Sequence, residues 1–471
     1  MRKIVFILFI LLLMAGIVDA DGPQPGANGI GDPYYSDLGN GGYDVVHYTL
    51  DLTPDLAAST LDAEVIIDAI ATQDLSAFNL DFRGFTIATI TINGAPATFE
   101  RGERELTITP ADPLPDNAPF TVAIRYGGAP DEAYSRITPE RAGWISYEGG
   151  VFAMSNPDGA EAWFPVNNHP ADKATYTIRV TVPEPYTAVS IGVLTETFTG
   201  DDGRVTYVWE ARDPVGCQVT TVAIGEFVAE TVEAPDGIPI RYYYPSRIEE
   251  VFQMRFAPVP EMLTFLETVL GPYPFPAYGI TAGAHDTAHE AQMMQLFDPE
   301  HIRVDFPPEE YIAHEMAHQW FGNSLSVARW QDVWLGEGFA GYGAWLWLEH
   351  AYGPDEFYRM IHQRYYRAAY PPYPMPPGSP SPDDLFYWED FRYFYDRGAL
   401  ALHALRLRMG DAPFFAMLQA YTTQYQHSNV TIEDFITIAE RFSGEDLTAF
   451  FDGWLYADDM PTIPELNLGA G

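Results

Sequence analysis

The sequence is poor in cysteine and lysine. Cys217 is its only cysteine, which excludes an internal disulfide and a cysteine-rich metal site. Lys3 and Lys173 are its only lysines, and 25 basic residues face 66 acidic ones, giving a formal net charge of −41. So acidic a surface argues strongly against nucleic-acid partners, because it repels phosphates.

Long hydrophobic runs are also scarce, and the only one stands at the N-terminus. Arg2 and Lys3 precede an apolar run at Ile4–Ile17, and small residues follow at Val18–Ala20. This pattern is typical of a cleaved signal peptide, which we assign to residues 1–20. A membrane anchor is the alternative, but the run is shorter than the roughly twenty residues that cross a bilayer. We therefore expect a secreted or extracytoplasmic protein without a stable membrane span, exported by a bacterium or archaeon, since disulfides are lacking.

The spacing of apolar residues divides the rest of the chain into two parts. From Tyr43 to Val228 they recur at every second position between turn residues, which predicts an all-β N-terminal domain with antiparallel sheets. Beyond Arg247 the spacing becomes helical. The predicted fold class is α+β, with the β domain at residues 21–228 and a mainly α-helical domain at 229–471. The predicted helices are Val251–Leu270, Glu309–Phe321, Gly338–Tyr352, Ala399–Met409 and Ile432–Phe442.

A metal-binding pattern lies in the second predicted helix. Residues 314–318 read His-Glu-Met-Ala-His. Residues four apart lie one turn above each other on a helix, so His314 and His318 can bind one ion while Glu315 projects beside it. A catalytic zinc ion takes three protein ligands and keeps one position open, so the pattern requires a third ligand on a nearby element.

Glu337 is the candidate for that ligand. It lies nineteen residues after His318, where a glycine-flanked turn is predicted to open another helix facing the first. Two neutral imidazoles and one carboxylate leave a zinc ion a net positive charge, which lowers the pKa of its bound water. We therefore predict one catalytic zinc ion per chain, with Glu315 as the general base that takes a proton from that water.

The string HEMAHQWFGNSLSVARWQDVWLGEGFA, at 314–340, resembles the zinc-binding signature of the aminopeptidase N family of gluzincin peptidases. Gly336 stands where that family commonly has asparagine. Three further segments resemble family motifs, at 163–176, 270–279 and 395–400. The resemblance implies a thermolysin-like catalytic domain with a small β-sheet, and removal of single residues from the N-terminus of peptides. It also implies a short form that lacks the C-terminal helical domain of many members, with a more open cleft.

The resemblance assigns roles to three further residues. Tyr395 is similar to the tyrosine that donates a hydrogen bond to the oxyanion of the tetrahedral intermediate. Glu290 aligns with the glutamate that holds the free α-ammonium of the substrate, and Asn156 aligns with a second acidic or amide residue near that amine. Around Glu290 the common glycine, methionine and asparagine of the family are replaced by Thr287, His289 and Ala291.

Two alternatives stay open at this point. One is a secreted zinc endopeptidase without N-terminal selection, because the motif around Glu290 is altered. The other is a catalytically silent, zinc-containing peptide-binding module, against which Glu315 and Tyr395 argue, since only chemistry needs them. Comparing free with N-acetylated peptides distinguishes the first alternative, and a turnover assay distinguishes the second.

Overall fold

A computed structural model describes residues 22–130, 133–138, 141–284, 288–303, 308–369, 376–379 and 392–469. The predicted signal peptide and Thr287 lie outside these residues. Among the helices described, none combines the length and the apolar character needed to cross a bilayer.

The first part of the chain forms β-strands in which buried and exposed side chains alternate, as the period of two predicts. The strands are β1 (Gln24–Pro25), β2 (Tyr43–Asp55), β3 (Thr60–Ala71), β4 (Leu75–Asp81), β5 (Thr86–Ile92), β6 (Ala95–Pro96), β7 (Thr98–Arg101), β8 (Glu105–Thr109), β9 (Pro119–Gly128), β10 (Ala133–Tyr134), β11 (Arg141–Tyr147), β12 (Gly150–Met154), β13 (Ala174–Val182), β14 (Thr187–Ser190), β15 (Val193–Thr199), β16 (Val205–Val215) and β17 (Val222–Gly225).

These strands form three sheets. The eight-stranded sheet has the order β15-β16-β13-β2-β3-β9-β5-β6, a five-stranded sheet the order β10-β11-β12-β17-β14, and a four-stranded sheet the order β1-β4-β8-β7. Most neighbours are antiparallel, as predicted, but β13 runs parallel to β2 and β4 runs parallel to β1. The antiparallel prediction is wrong for these pairs, because alternation of apolar residues within a strand carries no information about the direction of a distant partner.

The second part of the chain begins with a small sheet. Its strands are β18 (Phe227–Glu233), β19 (Pro239–Pro245), β20 (Tyr278–Thr281), β21 (Ala288–His289) and β22 (Gln295–Phe297), in the order β18-β19-β20-β22-β21. A parallel pair, β23 (Ser326–Val327) and β24 (Asn429–Val430), lies among the helices. The predicted division between residues 228 and 229 falls inside β18, which pairs with β19 along its whole length. That division stays a prediction.

Helices make up most of this part, so the predicted α+β fold class is confirmed. They are α1 (Glu249–Phe256), α2 (Val259–Leu270), α3 (Pro299–Arg303), α4 (Pro308–Ala317), α5 (Trp334–Tyr352), α6 (Pro354–Ala369), α7 (Gly398–Met409), α8 (Asp411–Gln424), α9 (Ile432–Ser443) and α10 (Thr448–Phe451). The helix predicted at Val251–Leu270 is two helices, because Pro258 offers no backbone N–H to the helical hydrogen bonds.

Close packing of α4 and α5 sets the geometry of the predicted metal site. A Cβ atom added at Gly343 of α5 would lie 2.6 Å from the Cβ of Ala317 at the end of α4, a distance that no pair of side chains tolerates. Glycine at this position therefore lets the two helices approach each other. Residues 334–347 of α5 are all buried, which explains why this helix shows no polar face.

Candidate metal and substrate site

The three predicted metal ligands come together between α4 and α5. His314 lies in α4, His318 lies one residue beyond its end, and Glu337 lies in the first turn of α5. The Nε2 atoms of the two histidines are 3.1 Å apart, and Oε2 of Glu337 lies 3.4 Å and 3.3 Å from them. The three side chains therefore point one donor atom each at a common position.

A backbone contact fixes the orientation of His318. Its Nδ1 lies 2.9 Å from the carbonyl oxygen of Phe321. A carbonyl only accepts, so Nδ1 carries the hydrogen and Nε2 keeps its lone pair for a metal. The chain turns sharply after Phe321 at Gly322, whose φ is +113°, a conformation that favours glycine. A Cβ there would also approach Nδ1 of His318 to 3.1 Å.

The electrostatics of this cluster fit a bound cation. Oε2 of Glu337 is buried and has no hydrogen-bond partner among the described residues. Burial alone would raise the pKa of Glu337, but His318 and His314 hold it far below its usual range. Burial likewise opposes a charge on His318, but the Glu337 carboxylate prevails and raises its pKa to about 10, so this position favours a positive charge, either a proton on Nε2 or a cation bound in its place. Two imidazole nitrogens and one carboxylate are the donor set that catalytic zinc takes, so the residues present fit a zinc ion.

Glu315 follows His314 directly and is buried, with only 6% of its surface exposed. Burial, together with the nearby carboxylates of Glu290 and Glu337, raises its pKa to about 8 against the opposing positive charge of His318. A carboxylate that binds a proton this readily suits general base and general acid chemistry near neutral pH. Its catalytic role stays a prediction.

Tyr395 lies near the metal ligands, in a π-helical turn at Arg392–Arg397. Its ring centre is 5.4 Å from that of His314, and the two ring planes are inclined by 32°. Burial, and then the nearby Glu337 carboxylate, raise the pKa of Tyr395 well above its usual value. The phenol therefore keeps its hydrogen and can donate it, as the predicted oxyanion role requires.

Two ionic contacts of the buried Asp396, which the sequence does not reveal, anchor this π-helical turn. Asp396 pairs with Arg367 and lies 3.5 Å from Nη1 of Arg364, both on α6. Arg364 also pairs with Glu310 of α4. The turn that carries Tyr395 is thus tied to the helix that carries His314. The acidic residue beside the motif tyrosine was visible in the sequence, but nothing there identified its partners.

The two residues predicted to bind the substrate amine are in contact. Asn156 follows β12, Glu290 follows β21, and Nδ2 of Asn156 donates a hydrogen bond of 2.8 Å to Oε1 of Glu290. Burial would raise the pKa of Glu290, but His289 and His318 lower it below its usual value. The carboxylate is therefore ionised, as binding of an ammonium group requires.

A chain of hydrogen bonds joins Glu290 to the segment after the metal helix. Nδ2 of Asn323 and Nε2 of Gln319 donate to the backbone oxygen of Glu290, at 2.6 Å and 3.3 Å. Lys173 in turn donates to the carbonyl oxygens of Asn323 and Ser324, both at 2.8 Å. These contacts were missed at the sequence level, although the scarcity of lysine had singled out Lys173.

Comparison with known families matches both parts of the chain. The model for the peptidase family M1 domain matches residues 261–454, and that for the peptidase M1 N-terminal domain matches residues 45–215. Aminopeptidase M1 of Arabidopsis thaliana is 23% identical over 88% of this chain and 50% of its own length. Endoplasmic reticulum aminopeptidase 1 of Homo sapiens is 24% identical over 83% of this chain and 44% of its own length. The chain thus spans about half the length of these curated relatives.

Solved structures match over a larger share of their own length. An M1 zinc metallopeptidase of Deinococcus radiodurans, an alanine mutant bound to the substrate Tyr-Ser-Ala, has a TM-score of 0.83 and 28% identity, covering 93% of this chain and 99% of that one. Similar two-domain M1 zinc metallopeptidase structures hold L-tryptophan and L-arginine. Yeast LTA4 hydrolase shares the fold. It is 21% identical, with a TM-score of 0.74, and the match covers 89% of this chain and 69% of that one.

Proposed function

The chain belongs to peptidase family M1, the aminopeptidase N family of zinc peptidases, and we propose that it is an aminopeptidase that removes single residues from the N-terminus of peptides. The observation that carries this proposal is the position of an ionised carboxylate beside a metal-binding cluster. Gln319, which follows the metal ligand His318, donates to the backbone oxygen of Glu290. The candidate amine site and the candidate metal site are therefore adjacent.

This adjacency accounts for cleavage at the first peptide bond. An α-ammonium group held by Glu290 stands only one residue from the first carbonyl of the peptide, which then lies at the metal ligands. A substrate with a blocked N-terminus brings no positive charge to the Glu290 carboxylate, which then loses water without gaining an ion pair, and that costs binding energy. Structures of related M1 peptidases with a tripeptide and with free amino acids support the same kind of substrate.

Each residue of the site has a defined task in the proposed reaction. Zinc, when bound by His314, His318 and Glu337, supplies Lewis acidity that activates water and polarises the peptide carbonyl. Glu315 takes a proton from the attacking water and passes it to the leaving amine nitrogen. The hydroxyl of Tyr395 donates a hydrogen bond to the oxyanion that develops on the carbonyl oxygen.

A substrate comparison tests the proposal. Zinc-loaded protein is incubated with a free tripeptide such as Tyr-Ser-Ala and with its N-acetylated form, and the products are identified by mass spectrometry. We expect release of the first residue from the free peptide and a rate at least about a hundredfold lower for the acetylated one. Equal internal cleavage of both would assign a zinc endopeptidase instead. If neither peptide is cleaved, the protein would be assigned as a catalytically silent peptide-binding module.

We also propose that the protein is exported from the cell. The basic pair Arg2-Lys3, the apolar run at Ile4–Ile17 and the small residues that follow support this proposal. N-terminal sequencing of the protein from the extracytoplasmic fraction of an expressing bacterium tests it. We expect a mature chain that begins after Ala20, and an intact Met1 in the cytoplasmic fraction alone would contradict export.

A further inference from the structure

His289 is a buried histidine at a position where the family commonly has methionine. It ends β21 and pairs with Leu296 of β22, and its side chain is fully buried. Its Nε2 has no hydrogen-bond partner among the described residues. Burying a polar ring is unfavourable, and methionine would fill similar space without that cost. A buried histidine at this position therefore needs a contact that offsets the cost of burying its ring.

That contact is with Glu290. Nδ1 of His289 lies 3.1 Å from Oε2 of Glu290, while Asn156 donates to the other carboxylate oxygen. The carboxylate is ionised and only accepts, so Nδ1 of His289 carries the hydrogen. Each oxygen of Glu290 thus has one protein donor, and each keeps a further lone pair for a substrate.

The backbone of Glu290 is already fixed by Asn323 and Gln319. The side-chain torsions of Glu290 remain, among them rotation of the carboxylate plane, which is broad when no partner restrains it. Two donors on opposite oxygens stop this rotation before a substrate arrives. Restraint of this kind improves binding, because the complex no longer has to order the group.

We propose that His289 is a positioning residue that fixes the Glu290 carboxylate for the α-ammonium group of the substrate, and thereby sets the preference for peptides with a free N-terminus. This inference rests on the proposed aminopeptidase function. It adds a determinant of specificity that the common family pattern, with methionine at this position, does not contain.

Three variants of the zinc-loaded protein test the inference. His289→Met removes the donor at nearly constant volume, His289→Asn keeps a donor at the position of Nδ1, and His362→Met is a matched control on the exposed face of α6. The kcat and KM are measured for a free aminoacyl reporter substrate and for its N-acetylated form. The inhibition constant of a free amino-acid amide is measured in parallel.

We expect His289→Met to raise KM and the inhibition constant about tenfold, the effect of losing one charge-assisted hydrogen bond, with a much smaller change in kcat. His289→Asn should restore most of the affinity, and His362→Met should match the wild type. If His289→Met does not fold, His289→Leu replaces it in the same comparison with His289→Asn. A merely structural role of His289 would lower kcat and thermal stability without a selective rise in KM.

The outcomes distinguish this inference from the proposed function. If the wild type cleaves free and acetylated substrates equally, the aminopeptidase proposal itself is wrong. If the wild type prefers the free amine and the variant without a donor retains both that preference and the wild-type KM, the role of His289 is overturned while the proposed function stands.

Discussion

Nδ2 of Asn156 and Oε1 of Glu290 lie 2.8 Å apart, and this hydrogen bond joins the predicted N-terminal β domain to the predicted catalytic domain at the candidate amine site. The donor follows β12 and the acceptor follows β21, so the carboxylate is fully restrained only when the two parts of the chain are packed together. Substrate selection should therefore depend on residues from both parts.

Asn156→Ala tests this dependence. The change removes one donor to Glu290, and we expect KM for a free aminoacyl substrate to rise about tenfold while kcat changes little. Steady-state kinetics on free and N-acetylated substrates measure the effect. A wild-type KM in this variant would show that the contact does not contribute to binding of the amine.

Glu315→Gln separates chemistry from metal binding. The amide keeps the shape of the side chain but cannot accept the proton of water, so we expect kcat to fall by roughly a thousandfold. Elemental analysis should still find one zinc ion per chain, whereas Glu337→Gln should lose the metal because it weakens a ligand. Glu226→Gln, at an exposed position, is the control. Substantial turnover in Glu315→Gln would refute its role as the base.

Tyr395→Phe removes a hydrogen-bond donor that acts only near the transition state. We expect kcat to fall by about a hundredfold to a thousandfold, equivalent to about 3–4 kcal/mol, with little change in KM. Tyr358→Phe, at an exposed residue of α6, should behave as the wild type. An equal loss in both variants, or a change in KM alone, would contradict oxyanion stabilisation by Tyr395.

Buried carboxyl groups in the first part of the chain predict that stability falls as the pH rises. Burial, and then neighbouring Asp44, raise the pKa of Asp172 to about 7, and burial together with Glu161 raises that of Glu105 to about 7. Both groups bind a proton more tightly in the folded state than in the unfolded state. Their stabilising contribution is complete below pH values of roughly 4 and is lost as the pH rises through about 7.

Urea unfolding at a series of pH values measures this dependence. We expect a higher free energy of unfolding at about pH 5 than at about pH 8, and a smaller difference in Asp172→Asn, whose side chain stays neutral. Asp201→Asn, at an exposed position, controls for the general effect of lowering the negative charge. Equal pH dependence in the two variants would show that the buried group is not responsible.

The metal cluster could be predicted from the sequence because its three ligands lie close together along the chain. His314 and His318 are related by helical spacing, and Glu337 lies in the next long helix. The predicted antiparallel direction was wrong for β13 and β2, because the direction of a strand depends on a partner that here lies more than a hundred residues away. The contacts of Lys173 with Asn323 and of Arg364 with Asp396 could not be predicted for the same reason. Asn156 and Glu290 were paired only through the family resemblance.

The close contact between Gly343 and Ala317 has a consequence for metal affinity. Glu337 lies on α5, whereas His314 lies on α4 and His318 directly follows α4, so the distances between the ligand atoms depend on how closely the two helices approach. A methyl group added at residue 343, which is not a ligand, would push the two helices apart and lengthen the distances between the ligand atoms. The geometry of the metal site thus depends partly on the lack of a side chain at residue 343, which is not itself a ligand.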